Sequence, residues 1–364
     1  PMFCFEDNSE LGATCGTIVN GEYIYWTSWR NGDLYKYDLK NNTYSKVISM
    51  QKTNLTGKTF SCVLKRKDKL YLISLFDGYE IVEYNLKTNQ LRLLYQKYVK
   101  GIYVFNAFLI DEKIYMFPSQ LDVAICVYSL LNKTVEYKKW EELLPSELIT
   151  TSNLVFSMDC INSKIYGTIQ NTSIYFELDI NETMHCKVSL INGYRLNSIN
   201  VYGDNIYFTL MDEEKFICIN NETMNIIQLK EEEKKGDGNF FSSVIQYNSK
   251  LFFIPSIGCS NIHVYDMQTG MNEIIEYSPD FCRKEEKSRL FWLPNVHNNK
   301  MFLLPHTSNR ILEIDMDDCK VKYHAGLKNS LKNFINIECF KSSIEKTDRR
   351  DDVGANINNV ILNN

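Results

Sequence analysis

Proline is scarce in this chain, with 7 residues in 364, and glycine is low at 16. No Gly-rich phosphate-cradling loop occurs, and no HExxH, GxSxG or kinase signature. The usual sequence marks of nucleotide binding, zinc peptidases, α/β-hydrolases and kinases are therefore missing. No apolar run approaches the roughly 18 residues that a membrane-spanning helix needs. The 11 cysteines include no CxxC pair and no Cys/His pair at ligand spacing, so no metal site is expected. Lys and Arg (40) are outnumbered by Asp and Glu (45) and lie scattered, for a net charge of −5. The basic footprint of a nucleic-acid binder is absent, which argues against nucleic acid and anionic membrane as partners. The first residues are Pro1-Met2-Phe3, so the start of the chain carries no argument about a leader.

What is present favours strands. Apolar residues reach 44%, with 23 Tyr and 20 Phe, and aromatic and β-branched side chains suit a pleated, half-buried surface. Cys15, Cys62, Cys126, Cys160 and Cys218 sit inside strand-like runs. They read as free thiols, which fits a reducing, cytoplasmic location.

The strands repeat. Seven dipeptide anchors recur at a mean spacing of about 46 residues, within the range of propeller blades: Ile24-Tyr25, Leu70-Tyr71, Ile114-Tyr115, Ile165-Tyr166, Ile206-Tyr207, Leu251-Phe252 and Met301-Phe302. Turn-forming pairs precede them in the same register: Gly21-Glu22, Lys67-Asp68, Asp111-Glu112, Asn162-Ser163, Gly203-Asp204, Asn248-Ser249 and Asn298-Asn299. Each anchor should open the second strand of a hairpin. Its first strand should start at Thr14, Phe60, Val104, Val155, Leu196, Phe241 and Phe291. Downstream comes a third strand ending in Tyr37-Asp38-Leu39, Tyr84-Asn85-Leu86, Tyr128-Ser129-Leu130, Leu178-Asp179-Ile180, Ile217-Cys218-Ile219, Tyr265-Asp266-Met267 or Ile314-Asp315-Met316. A polar turn and a fourth strand follow. Four hairpin-linked strands make one blade, so the expected fold is all-β: a seven-bladed β-propeller of four-stranded antiparallel blades over residues 12–324. Residues 1–11 are an N-terminal segment, and residues 325–364 a C-terminal segment and polar tail. Phe3-Cys4-Phe5 or Phe334 to Phe340 could complete a blade from either chain end.

Hairpin, aromatic-Asp-Leu strand and turn together resemble the kelch-like propellers. At the positions of the kelch Gly-Gly doublet this chain has Thr27-Ser28, Ser74-Leu75, Pro118-Ser119, Thr168-Ile169, Thr209-Leu210, Pro255-Ser256 and Pro305-His306. The resemblance is one of architecture and brings no functional residue with it.

Long links, such as Lys230 to Asn239, Ser278 to Leu290 and Trp140 to Asn153, should gather on one face, the third of them with room for a short helix. Long loops on a rigid scaffold are where function concentrates. The mouth of the propeller axis on that face would offer Asn106, Ser157, Asn197, Ser243, Arg289 and Trp292 from first strands. Second strands would offer Trp29, Arg30, Gln120, Gln170, Asp212 and His306. Arg30 and Arg289 suit a carboxylate or phosphate. His306 reads more readily as a hydrogen-bonded surface residue than as a base, and Asp212-Glu213-Glu214 as a solvated loop. Asn41, Asn54, Asn132, Asn171, Asn181 and Asn221 match glycosylation sequons, but most fall in a turn where Asn and Thr belong anyway. With no catalytic motif and no cofactor motif, the expected function is a non-catalytic interaction module. It would present its loop-rich face to a protein, peptide or glycan. The alternative is an enzyme (lyase, hydrolase or isomerase) working at the axis mouth on an anionic or carbohydrate-like substrate, an analogy of fold only.

Overall fold

The computed structural model describes residues 13–28, 32–50, 59–150, 153–181, 184–211, 213–221, 223–230, 240–256, 261–277, 291, 294–305 and 310–324. Five sheets have four strands each, in the order of the sequence, and a sixth has seven. The seven-stranded sheet is two blades sharing one 21-residue strand, Gln90–Ile110. Up to Tyr103 this strand pairs with Phe76–Asn85, and from Val104 onward with Lys113–Pro118. The count is thus seven blades, numbered here 1 to 7 in chain order, and the fold is a seven-bladed β-propeller of antiparallel blades.

Val104 was expected to begin a new strand. Instead the fourth strand of blade 2 runs unbroken into the first strand of blade 3. Gly101 supplies the pivot at φ +80°, a conformation that costs glycine little. Its N–H donates to Asp77 Oδ1 (2.9 Å) and its carbonyl accepts from Gln120 Nε2 (2.9 Å), so the chain turns without losing its backbone partners.

The repeated residues have physical reasons. Every second strand begins one residue before its anchor dipeptide, as in Lys164–Ile169 and Asn205–Leu210. Asp111-Glu112 and Asn162-Ser163 form two-residue turns with positive φ at both positions, the geometry that matches the twist of a hairpin. The recurrent Asp or Asn after the third-strand aromatic caps the next turn. Asp38 Oδ1 accepts the N–H groups of Lys40 (3.0 Å) and Asn41 (2.8 Å). Asn85 does the same for Lys87 and Thr88, and Asp266 for Gln268 and Thr269. These bonds hold the Asp38 and Asp266 carboxyls below the ordinary Asp value. Four residues after these caps stand Asn42, Asn89 and Gly270, all at positive φ. The Lys that opens several second strands reaches a Glu on the third: Lys69–Glu83 (2.7 Å), Lys164–Glu177 (2.6 Å) and Lys300–Glu313 (2.6 Å).

The chain divides into two compact units, residues 1–63 with 275–364, and residues 64–274. In the first unit, blade 1 packs on blade 7. Ala13, Ile24, Trp26, Tyr35 and Tyr37 meet Phe302, Leu304 and Ile311 in one buried cluster. Gly16 permits this close approach: a Cβ on it would lie 2.4 Å from Leu304 Cδ1, and the leucine side chain would have to shift. Each of these two blades has four strands of its own; Phe3–Phe5 and Phe334–Phe340, proposed as closing strands, lie outside the described residues. A polar network crosses the same seam. Glu313 Oε2 accepts from His324 Nε2 at 2.6 Å, and His324 Nδ1 lies 2.8 Å from the Tyr37 hydroxyl and 3.1 Å from Asn42 Oδ1.

In the second unit, consecutive blades share apolar clusters: Phe208 and Ile217 with Tyr166 and Ile199 between blades 4 and 5, and Phe216 with Phe241 and Phe253 between blades 5 and 6. Of the link expected to have room for a short helix, the described residues 140–150 form two 3-10 turns, Trp140–Glu142 and Ser146–Leu148, with Pro145 between them. Trp140 is fully buried between Phe117 of blade 3 and Phe176 of blade 4.

The described cysteines are free. Burial pushes the Cys126 thiol up to about 12, so it carries almost no thiolate at neutral pH. Cys126 should therefore stay unmodified when the native protein meets iodoacetamide and react once denatured, as read by peptide mass spectrometry. Modification of the native protein at the rate of an exposed thiol would contradict that burial.

Candidate functional site

Five of the first strands, those of blades 1, 3, 4, 5 and 6, share a one-residue bulge. In blade 5, Leu196 faces Leu210 but Ser198 faces Thr209, which leaves Asn197 as the extra residue. The same slip occurs between Ala13 and Cys15, Val104 and Asn106, Val155 and Met158, and Phe241 and Ser243. A bulge bends its strand and re-aims the side chains beside it. In the second unit this places Phe105, Asn197 and Ser242 at equivalent points of successive first strands, with Phe156 in the bulge of blade 4.

Several of the residues expected at the axis mouth fall at these bulges, and their polar atoms join one blade to the next. Asn106 Nδ2 donates to Phe156 O at 3.0 Å. Ser157 Oγ accepts the Ile199 N–H at 3.0 Å. Asn197 Nδ2 donates to Phe241 O. Residues that the sequence did not single out add to the set: Asp159 Oδ2 accepts the Val201 N–H (2.8 Å), Asn200 Oδ1 accepts the Val244 N–H (2.7 Å), and Thr168 and Thr209 donate to the carbonyls of Asn197 and Phe241 (both 3.4 Å). Their signal was in the register, since each Thr stands two residues after an anchor aromatic. Burial raises the Asp159 carboxyl above its ordinary value, while the N–H groups of Val201 and Cys160 and the Asn200 side chain pull the other way. Ser243 Oγ is buried and has no hydrogen-bond partner.

Gln120 occupies the end of the second strand of blade 3. Its Oε1 accepts the Tyr103 N–H (3.2 Å) and the Ser119 hydroxyl (3.0 Å), and its backbone bridges to Leu154. Gln170, which stands in blade 4 where blade 3 has Ser119, donates its N–H to Leu154 O at 2.8 Å, as Ser119 does to Tyr103 O at 2.7 Å. Beside these amides runs a row of aromatic rings that the sequence reading passed over. Phe76 meets Tyr103 (5.5 Å between centroids), Tyr103 meets Phe105 (6.3 Å), and Phe105 meets Phe156 edge-on (4.9 Å). The structure thus brings Asn106, Gln120, Ser157, Gln170, Asn197 and Ser243 to the starts of first strands and the ends of second strands within one unit. Trp29, Arg30, Asp212, Arg289, Trp292 and His306 lie outside the described residues, as do the 231–239 and 278–290 stretches of the long links.

Seven antiparallel four-stranded blades define a β-propeller protein. No protein-family model matches the sequence, and no curated protein matches it. Solved structures do match. YCF48 bound to D1 peptide aligns with a TM-score of 0.61 at 10% identity, over 82% of this chain and 91% of that one. Selenomethionine-substituted virginiamycin B lyase from Staphylococcus aureus aligns with a TM-score of 0.53 at 11% identity, over 73% and 83%. The N-terminal domain of Nup159 aligns with a TM-score of 0.50 at 10% identity, over 82% and 88%. At such identities the likeness carries the fold alone, and the neighbours include a peptide-bound protein and an enzyme.

Proposed function

We propose that this chain is a non-catalytic binding module of kelch-like architecture, working in a reducing compartment such as the cytoplasm. It takes an extended peptide or a protein loop at the starts of its first strands. One observation carries the reading: the polar side chains gathered there are mainly amides and hydroxyls, locked by hydrogen bonds to the backbone of the adjoining blade or strand. Such groups do not exchange protons near neutral pH, but they hold a surface rigid, and a rigid surface loses little entropy on binding. Phe76 and Phe156, both half-buried, supply ring edges and faces against which a partner's side chains can pack, and the buried Tyr103 and Phe105 back them. That YCF48 was solved with a peptide supports a peptide as the kind of ligand that a propeller accommodates.

Selection of displayed random peptides on the folded protein tests this. Peptides should be enriched, and their capture should fall roughly tenfold with Phe156→Ala combined with Gln120→Ala, about 1.4 kcal/mol of lost contact. Enrichment that the double variant leaves undiminished would move the site elsewhere, and no enrichment at all would remove the peptide reading.

A further inference from the structure

Except in blade 2, whose fourth strand runs on into blade 3, the fourth strand of each blade is the last in its sheet order, with one side of its backbone unpaired within the sheet. Edge strands recruit other strands unless charge, proline or shortness blocks them. In six of the seven blades a charged side chain stands on the fourth strand: Lys46, Arg92, Glu136, Lys187, Glu273 and Lys322. Blade 5 differs. Its fourth strand, Thr223–Gln228, reads TMNIIQ and has no charge and no proline. It is also well exposed: Met224 is 47% and Ile226 41% accessible, and Thr223, Asn225 and Gln228 are exposed as well.

The pattern is self-complementary. Two copies of TMNIIQ laid antiparallel about a two-fold axis at Asn225 place Met224 opposite Ile226 of the other copy, and Ile226 opposite its Met224. On the other face Asn225 stands opposite Asn225, and Thr223 opposite Ile227. Apolar meets apolar, amide meets amide, and no like charges face each other, which is what cross-strand pairing rewards. A symmetric contact uses the same patch on both chains, and this strand satisfies that condition by itself. The charged edges meet it less freely: centred on their own Lys46, Lys187 or Lys322, those strands would set lysine against lysine.

We infer that Thr223–Gln228 is a self-association edge. Two copies of this chain pair antiparallel through their fifth blades and form one continuous sheet across the dimer. The strand is well seated for the task, because Ile227 packs into the cluster between blades 5 and 6, and Gln228 Nε2 donates to Glu214 O at 3.1 Å.

Sedimentation velocity of the full chain over a wide concentration range is the test, with Asn225→Lys and Asn225→Glu variants. Asn225 is exposed, so both should keep the wild-type melting temperature. The wild type should show a concentration-dependent dimer. Each variant alone should raise the dimer dissociation constant about tenfold, because like charges now meet at the two-fold, and an equimolar mixture of the two should recover the dimer. A wild type that stays monomeric throughout overturns the inference and leaves the edge to a different strand. A dimer unaffected by either variant overturns it too, by placing the contact on another surface.

Discussion

Replacing Trp140 by alanine will lower the stability of the protein by about 3–5 kcal/mol, the range for removing a large aromatic from a packed core. Nothing in the sequence around Trp140 marks it as core. It opens a linker, and Glu141 and Glu142 follow it. In the structure its indole is 1% exposed and closes the gap between two sheets. The ring lies 6.0 Å from Phe117 on blade 3 and 5.5 Å, edge-on, from Phe176 on blade 4. Leu144, Leu121, Val155 and Ile169 complete the cluster. Alanine would leave a cavity that two rigid sheets cannot close, so the cavity cost adds to the lost transfer energy. Trp140→Phe keeps most of the volume and should cost clearly less. Urea unfolding of the three proteins measures the difference. A loss below about 1 kcal/mol for the alanine variant would show that the linker is a surface loop after all.

Glu313→Gln will destabilise the protein by about 3 kcal/mol at neutral pH, and the gap to wild type will close in acid. The Glu313 side chain is only 7% exposed and has Lys300 at 2.6 Å, His324 at 2.6 Å and Lys322 at 3.7 Å. The hydrogen bond from His324 leads in holding its carboxyl down at about 2, against an ordinary value of 4.5, with Lys300 adding to it. A depressed carboxyl stabilises the folded state in full above the unfolded value, near 4.5, and the contribution disappears as pH falls toward the folded value near 2. A shift of that size corresponds to about 3 kcal/mol. Wild type and variant should therefore converge between pH 4.5 and 2, which thermal unfolding at several pH values will register. A gap that stays constant through acid would assign the loss to packing instead of charge. Because this network ties blade 7 to Tyr37 and Asn42 of blade 1, the variant should also loosen the seam between the first and last blades. Hydrogen exchange in 34–38 and 312–315 would report it.

The blades were legible because their signals are local. A period near 46, turn pairs with left-handed preference, and an Asp or Asn at the end of most third strands are set by backbone geometry within a few residues. The join between blades 2 and 3 was not legible, since nothing in Leu91 to Ile102 says whether the chain stops pairing at Val104 or continues. That depends on Asp77 and Gln120, 24 and 19 residues away from Gly101, arriving to bond it. For the candidate site the sequence offered positions, six of which fall among the described residues, and no roles. Asn106, Ser157 and Asn197 were placed by register, but their partners Phe156, Ile199 and Phe241 are 42 to 50 residues distant. Phe105 and Phe156 were missed because a bulge shifts their aim by one residue, and alternation alone does not reveal a bulge.

The sequence by itself determined the blade, its number of copies and its turns, because each rests on dihedral preference and hydrophobic alternation over a few bonds. Only the tertiary structure decided that Trp140 is core, that His324 and Glu313 meet Tyr37 from the far end of the chain, and that Asn106, Ser157 and Asn197 tie one blade to the next. Those facts depend on which surfaces come together when the blades pack, and distance along the chain does not encode distance in space.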